Sequence, residues 1–151
     1  MTGWRLGWLV APHGCVDMMD RLAQNLYLSA PTLSQYAALA AYSDDTLAIL
    51  EERREEFRRR RDYLYPRLKQ LGFGMSRPPQ GAFYLYADCS ALCDDSYAFC
   101  EQLLEEQGVA VTPGRDFGHN RPRQHLRFAY TTSIEKMEQA LQRISLFTAS
   151  R

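Results

Sequence analysis

Lysine is nearly missing from this chain. Of 18 lysines and arginines in 151 residues, only Lys69 and Lys136 are lysines. Chemistry that runs through a lysine amine therefore has two candidates at most. Both fall in polar, helix-patterned stretches, and Glu135 and Glu138 lie beside Lys136. Carboxylate neighbours keep an amine protonated and so oppose nucleophilicity. An excess of charge is missing as well. The formal net charge is +0, which argues against a general nucleic-acid binder or a protein of anionic membrane surfaces. No apolar run is long enough to span a bilayer, and no basic-then-apolar leader opens the chain. The expectation is a cytoplasmic protein with no membrane and no nucleic-acid partner. Cysteines number only four, and without a secretory context they read as reduced thiols, not a disulfide framework. Cys89, Cys93 and Cys100 with His119 match no common zinc spacing, so no metal site is expected. There is no glycine-rich phosphate loop, and no serine or cysteine has a histidine at a recognisable spacing, which leaves a hydrolase reading little support. No internal repeat or low-complexity segment appears.

What is present is enough apolar residue for a core: 46% hydrophobic and 12% aromatic. The length fits one domain, or a small domain plus part of another. Cys15 to Leu26 carries Val16, Met19, Ala23 and Leu26 at helical spacing. Thr32 and Gln35 make a capping-box pattern ahead of an alanine-rich helix to Tyr42. Asp44 or Asp45 begins a long helix to about Leu71, with Leu50, Phe57, Leu64, Leu68 and Leu71 on one stripe. Its arginine run, Arg53, Arg54 and Arg58 to Arg61, is interleaved with glutamates and reads as a solvated or domain-bridging face. Pro66 should kink it. Beyond Gly72 the texture changes to short elements: strands at Phe73–Ser76, Ala82–Ala87, Val109–Thr112 and His125–Tyr130. Asp94, Asp95 and Ser96 start a helix that runs to about Gln107, turns Tyr97, Cys100, Leu103 and Leu104 inward and stops at Gly108. A closing helix carries Ile134, Met137, Leu141 and Ile144 behind a Thr132/Glu135 capping box. Alternating strands and helices make the fold α/β, with a small α+β sheet covered by helices on one side.

Two arginines stand out. Met1 to Pro12 reads as a strand with Trp4, Leu6, Trp8 and Val10 on one face. Arg5 lies on the other face between Gly3 and Gly7, so the space beside its guanidinium is clear, an arrangement suited to a phosphate or carboxylate. On the last strand Leu126, Phe128 and Tyr130 face the core, and Arg127 points the other way beside small Ala129. A strand-rooted guanidinium with room beside it suits bidentate capture of a carboxylate. A plain edge-strand arginine or a structural ion pair is the competing reading of each.

The segment M-T-G-W-R-L-G-W resembles the stretch that follows the cofactor lysine in class I/II aminotransferases, pyridoxal-phosphate enzymes of fold type I. Three further stretches resemble the small domain of that family, in the same order: P-Q-G-A-F-Y at Pro79 to Tyr84, V-A-V-T-P-G at Val109 to Gly114 with Phe117-Gly118 after it, and L-R-F-A-Y at Leu126 to Tyr130. Arg60-Arg61-Asp62 resembles a sequence in the family's long connecting helix. The resemblance implies the C-terminal part of such an enzyme: residues 1–43 as the end of the large cofactor-binding domain with its sheet and interface helices, 44–71 as the connecting helix, and 72–151 as the small domain.

It implies roles as well. Arg5 matches the arginine on the phosphate of pyridoxal 5'-phosphate, and Arg127 the arginine on the substrate's α-carboxylate. Ser29 is the nearest match to a turn that approaches the partner subunit's cofactor in a homodimer. The substrates would be an amino acid and a 2-oxo acid. The lysine that carries the cofactor, the aspartate on its ring nitrogen and the ring stacked on it lie N-terminal to Met1 in the family, so no catalytic residue is expected here and the isolated chain should be inactive. Two other readings share the fold: a non-catalytic effector domain of a transcription regulator, and an inactive truncated product.

Overall fold

The computed structural model describes residues 2–149. Two compact units divide the chain, Met1–Glu52 and Arg53–Arg151. No helix of the described residues is long and apolar enough to cross a membrane.

The first unit is helical. A 3-10 turn at Thr2–Trp4 is followed by α1 (Val16–Leu26), α2 (Thr32–Ala41) and the start of α3 (Asp44–Gln70). The strand expected over Met1 to Pro12 is not there; Met1 itself lies outside the described residues. Residues 6–12 are irregular, and Arg5 takes a left-handed backbone at φ 52. The reason is physical: alternating side chains fit a strand, but a strand needs a neighbour for its amides and carbonyls, and the one sheet among the described residues lies in the second unit. What holds this stretch is a hydroxyl. The buried Ser34 donates from Oγ to the Trp4 carbonyl at 2.6 Å. The capping box also resolves differently. Pro31 occupies the cap of α2 with its φ preset at -56, and Gln35 Nε2 donates to the Ala30 carbonyl at 2.8 Å. Ser43 precedes α3, and its Oγ accepts from the Thr46 amide at 3.4 Å.

In the second unit β1 (Tyr84–Asp88), β2 (Thr112–Pro113) and β3 (His125–Ala129) form an antiparallel sheet in the order β1-β3-β2. Tyr86 and Thr112 both lie opposite Arg127 across the ladders. One face carries Leu85, Ala87, Leu126 and Phe128, all buried. Against it pack Leu64 and Leu68 of α3, Phe99 and Leu103 of α4 (Ser96–Gln107), and Met137, Leu141, Ile144 and Phe147 of α5 (Ile134–Ala149). Edge-to-face ring pairs lock the layer, Phe73 on Phe128 at 4.9 Å and Phe99 on Phe147 at 5.1 Å. Such pairs contribute ~0.5–1.5 kcal/mol beyond the area they bury. Tyr130 donates its hydroxyl to the Ala82 carbonyl at 3.1 Å, where Ala82 sits at φ 61.

Several expected details shift. Phe73–Ser76 contributes only a bridge, Gly74 exchanging both hydrogen bonds with Asp88; Pro78 and Pro79 have no amides to extend it. In α4 Phe99 is buried and Leu104 is half exposed. Ser133, not Thr132, caps α5, its Oγ accepting from the Lys136 amide at 3.4 Å. Pro66 lies inside α3 without ending it. Of the three residues expected to start α4, Asp95 is the cap, and Gly108 ends the helix in left-handed backbone as the sequence implies. Along α3 the glutamates pair with the arginines, Glu56 with Arg60 at 2.7 Å among them.

Candidate functional site

The sheet's second face is open, and Arg127 sits at its middle. The sequence dictates this placement: in L-R-F-A-Y every second residue is large and apolar, so burying that set turns Arg127 and Ala129 outward. Arg127 is half-buried. Its Nη2 donates to Thr112 Oγ1 at 3.3 Å. Its guanidinium carbon lies 4.6 Å from the Phe117 ring centre and 5.6 Å from that of Tyr84. Its Nε is buried and has no hydrogen-bond partner, an unmet donor in a group that wants every one satisfied.

A cleft of about 450 Å³ opens over this guanidinium, lined by Tyr84, Tyr86, Phe117, His119, His125 and Arg127 together with Gly118 and Asn120. None of these is acidic, so the arginine's charge is not neutralised within the cleft. His125 stacks flat on Tyr86, ring centres 4.9 Å apart and 6° from parallel. Its Nδ1 lies 3.0 Å from the Arg121 carbonyl. A carbonyl only accepts, so Nδ1 carries the hydrogen. Partial burial raises the Tyr86 phenol above its ordinary value, with a smaller contribution from Cys89. Beneath the cleft Gly114 is buried so tightly that a Cβ there would meet the Pro122 carbonyl oxygen, with the Tyr86 hydroxyl at 2.8 Å and the His125 carbonyl at 2.9 Å.

Beyond the stacked pair lies Asp88. A hydrogen bond from the Ser90 hydroxyl, then one from the Ser90 amide, holds its carboxyl below the usual carboxylate range. Arg121 reaches its Oδ2 at 3.4 Å from the exposed side. This cluster is satisfied internally.

The other singled-out residues are placed as follows. Arg5 is exposed, and among the described residues it has no ion-pair partner. A Cβ at either Gly3 or Gly7 would meet nothing within 4 Å, so the space beside Arg5 is clear, although a left-handed turn and not a strand presents it. Ser29 is exposed, next to Leu28 at φ 64. Arg5 and Ser29 belong to the first unit and Arg127 to the second. Lys69 is exposed near the end of α3, its Nζ 5.6 Å from the Tyr65 ring, and Lys136 is exposed in the first turn of α5. The four cysteines are thiols, not joined in disulfides. The Cys93 thiol and burial push the Cys89 thiol far up, and burial pushes Cys100 up to about 12; neither is a thiolate nucleophile at neutral pH.

Thr112, Tyr84 and Phe117 are the site residues that sequence reasoning missed. The alternation F-Y-L-Y-A-D carried a signal for Tyr84 and Tyr86 as an aromatic face. Thr112 opposite Arg127 carried none, because register across a fifteen-residue separation is not written in either strand.

The model of the aminotransferase class I and II family matches residues 1–144. The chain belongs to the class I and II aminotransferases. The valine–pyruvate aminotransferase of Mycobacterium tuberculosis is 37% identical over all of this chain, which spans 39% of that relative's length. The aspartate/prephenate aminotransferase of Thermus thermophilus is 39% identical over 96% of the chain and 37% of the relative. Among solved structures, an aminotransferase from Mycobacterium tuberculosis superposes on the whole chain with a TM-score of 0.91, at 37% identity. The chain thus corresponds to about two fifths of the relatives it matches.

Proposed function

We propose that this chain is the C-terminal part of a pyridoxal-phosphate-dependent aminotransferase, which transfers an amino group from an amino acid to a 2-oxo acid. Arg127 holds the α-carboxylate of both substrates, and Arg5 holds the cofactor phosphate. The observation that carries the reading is the Arg127 guanidinium: an unneutralised planar fork, rooted on a sheet and lining an open cleft, with its buried Nε unmet. A carboxylate's two oxygens match such a fork. Arg5 fits the phosphate by its chemistry, being exposed, unpaired among the described residues and flanked by clear space. When bound, the cofactor supplies an electron sink for the amino acid's α-carbon.

What these residues contribute is orientation. Fixing the carboxylate in two hydrogen bonds at Arg127 restricts how the amino acid's α-carbon can lie, and restriction of that kind removes a large part of a bimolecular barrier; Arg5, for its part, retains the cofactor by its phosphate. Neither Lys69 nor Lys136 carries the cofactor in this reading, since both are exposed on helices of the second unit; that role belongs to sequence outside this chain. Residues 1–43, 44–71 and 72–151 act as the end of the large domain, the connecting helix and the small domain. The whole enzyme works as a homodimer in which Ser29 approaches the partner subunit's cofactor.

The test uses the full-length enzyme. Arg127→Ala should cut kcat/KM for α-amino acids by about 10²–10³-fold, the scale of a lost buried charge pair, and spare cofactor binding. Arg127→Lys should recover little, because an ammonium cannot make the two-pronged contact. Amines lacking the carboxylate should react as before. Equal losses on both substrate types would assign Arg127 to structure alone.

A further inference from the structure

Arg127 is long and flexible, and a strand fixes only its root. Four rotatable bonds separate the guanidinium from β3, and a fork that wanders cannot present two hydrogen bonds in register. Three groups restrain it: the rings of Phe117 and Tyr84 by their faces, and Thr112 Oγ1 by a hydrogen bond to Nη2 at 3.3 Å. The rings limit the plane without choosing an angle within it. The hydroxyl chooses the angle.

Thr112 is suited to that. It is the register partner of Arg127 on the neighbouring strand, so ladder hydrogen bonds set the separation of the two roots. Its branched side chain has few rotamers. Pro113 follows at φ -71, and the buried Gly114 comes next with no room for a Cβ. The chain is therefore held immediately beyond Thr112, and with it the root of the oxygen. Its neutrality matters as much. A carboxylate at position 112 would also hold the guanidinium, but it would pair with the charge and compete with any anion in the cleft. A hydroxyl orients the cation and leaves its charge to the ligand.

We infer that Thr112 is a positioning residue for carboxylate recognition, which aims the Arg127 fork into the cleft without neutralising it. The inference rests on the carboxylate role proposed for Arg127. It assigns selectivity for carboxylate-bearing substrates over plain amines in part to a residue that touches no substrate.

The experiment compares Thr112→Val, Thr112→Ser and Thr112→Asp in the full-length enzyme, by steady-state kinetics with an α-amino acid and with the matching amine that lacks its carboxylate. Valine keeps the shape and removes the hydroxyl. It should lower the amino-acid-to-amine ratio of kcat/KM about tenfold, mostly through KM, the scale of one hydrogen bond to a charged group. Serine should restore the ratio to within about threefold, since it keeps the acceptor. Aspartate should lower the ratio further than valine, although it binds Arg127 more strongly, because it neutralises the charge. A purely structural Thr112 would leave the ratio unchanged in valine or move both substrates equally, and either result overturns the inference. So would an aspartate variant that kept the ratio. If Arg127→Ala leaves the ratio intact, the Arg127 reading itself fails. If only the Arg127 variants move it, that reading survives and Thr112 is excluded.

Discussion

At the scale of the residue, Gly114 controls more than its size suggests. A side chain there would run into two backbone carbonyls and the Tyr86 hydroxyl. Backbone cannot move aside as a flexible side-chain tip can, so Gly114→Ala should destabilise the second unit by about 1–3 kcal/mol, the usual range for overpacking. Urea unfolding should show the midpoint falling, and an unchanged midpoint would mean that the Pro122 loop gives way freely. Gly118 is the control. It lies in open space at φ 146, so alanine there meets only backbone strain. Asp88 sets a pH dependence on the same face. Its folded-state carboxyl titrates below its ordinary value, so its contribution is present above that ordinary value and is lost as pH falls through the lowered one. The group is part-exposed and the effect correspondingly small. Asp88→Asn should flatten the acid side of a stability profile and leave the basic side unchanged.

At the scale of the element, α4 shows what the sequence conveys and what it withholds. Its stop was legible, and its start to within three residues, because both are chemical: Asp95 accepts from the Tyr97 amide at 2.9 Å, and Gly108 takes the left-handed turn at φ 64. Asp95→Ala should cost roughly 1 kcal/mol, typical of a lost N-cap, and circular dichroism melts can measure it. A loss within error would mean that water serves the Tyr97 amide as well as the carboxylate does, and that the exposed pair of Asp95 with Arg123 at 3.0 Å adds nothing. The inward face of α4 was less legible. Tyr97, Phe99, Cys100, Leu103 and Leu104 are all apolar, so periodicity alone leaves the phase open, and contact with Phe73 and Phe147 decides it in favour of Phe99. On β3 the pattern was clearer, because Arg127 stands between two large apolar residues, Leu126 and Phe128, and so the face of the central candidate residue could be read directly. Residues 1–12 have equally good alternation but no ladder to join, and pattern cannot report the absence of a partner. Thr112 was invisible for a related reason: its importance lies in what it faces, and facing is a property of pairs.

At the scale of the molecule, the two units differ in kind. The second has a continuous core with Leu68, Leu85, Leu103 and Leu126 fully buried. In the first, Ser34 alone is buried along the helices α1 and α2, while Trp8, Leu26, Tyr27, Leu33 and Leu39 are all more than two thirds exposed. Stability follows burial. Hydrogen exchange of the purified 151-residue chain should show strong protection in β1, β3 and α5 and near-complete exchange in α1 and α2 within seconds. Protection of α1 equal to that of α5 would contradict this ordering. The exposed apolar surface also predicts concentration-dependent association, stronger in salts that are excluded from protein surfaces.

On β3 the interior and the cleft are one residue apart. Leu126 and Phe128 anchor the core, and Arg127 between them faces the cleft. The strand cannot be retuned for one purpose without disturbing the other. Change at this face would therefore leave β3 alone and fall on the rim, where Tyr84 and Phe117 through Asn120 can be exchanged at little cost to the interior. Sequence variation would collect at that rim, around a strand that barely changes.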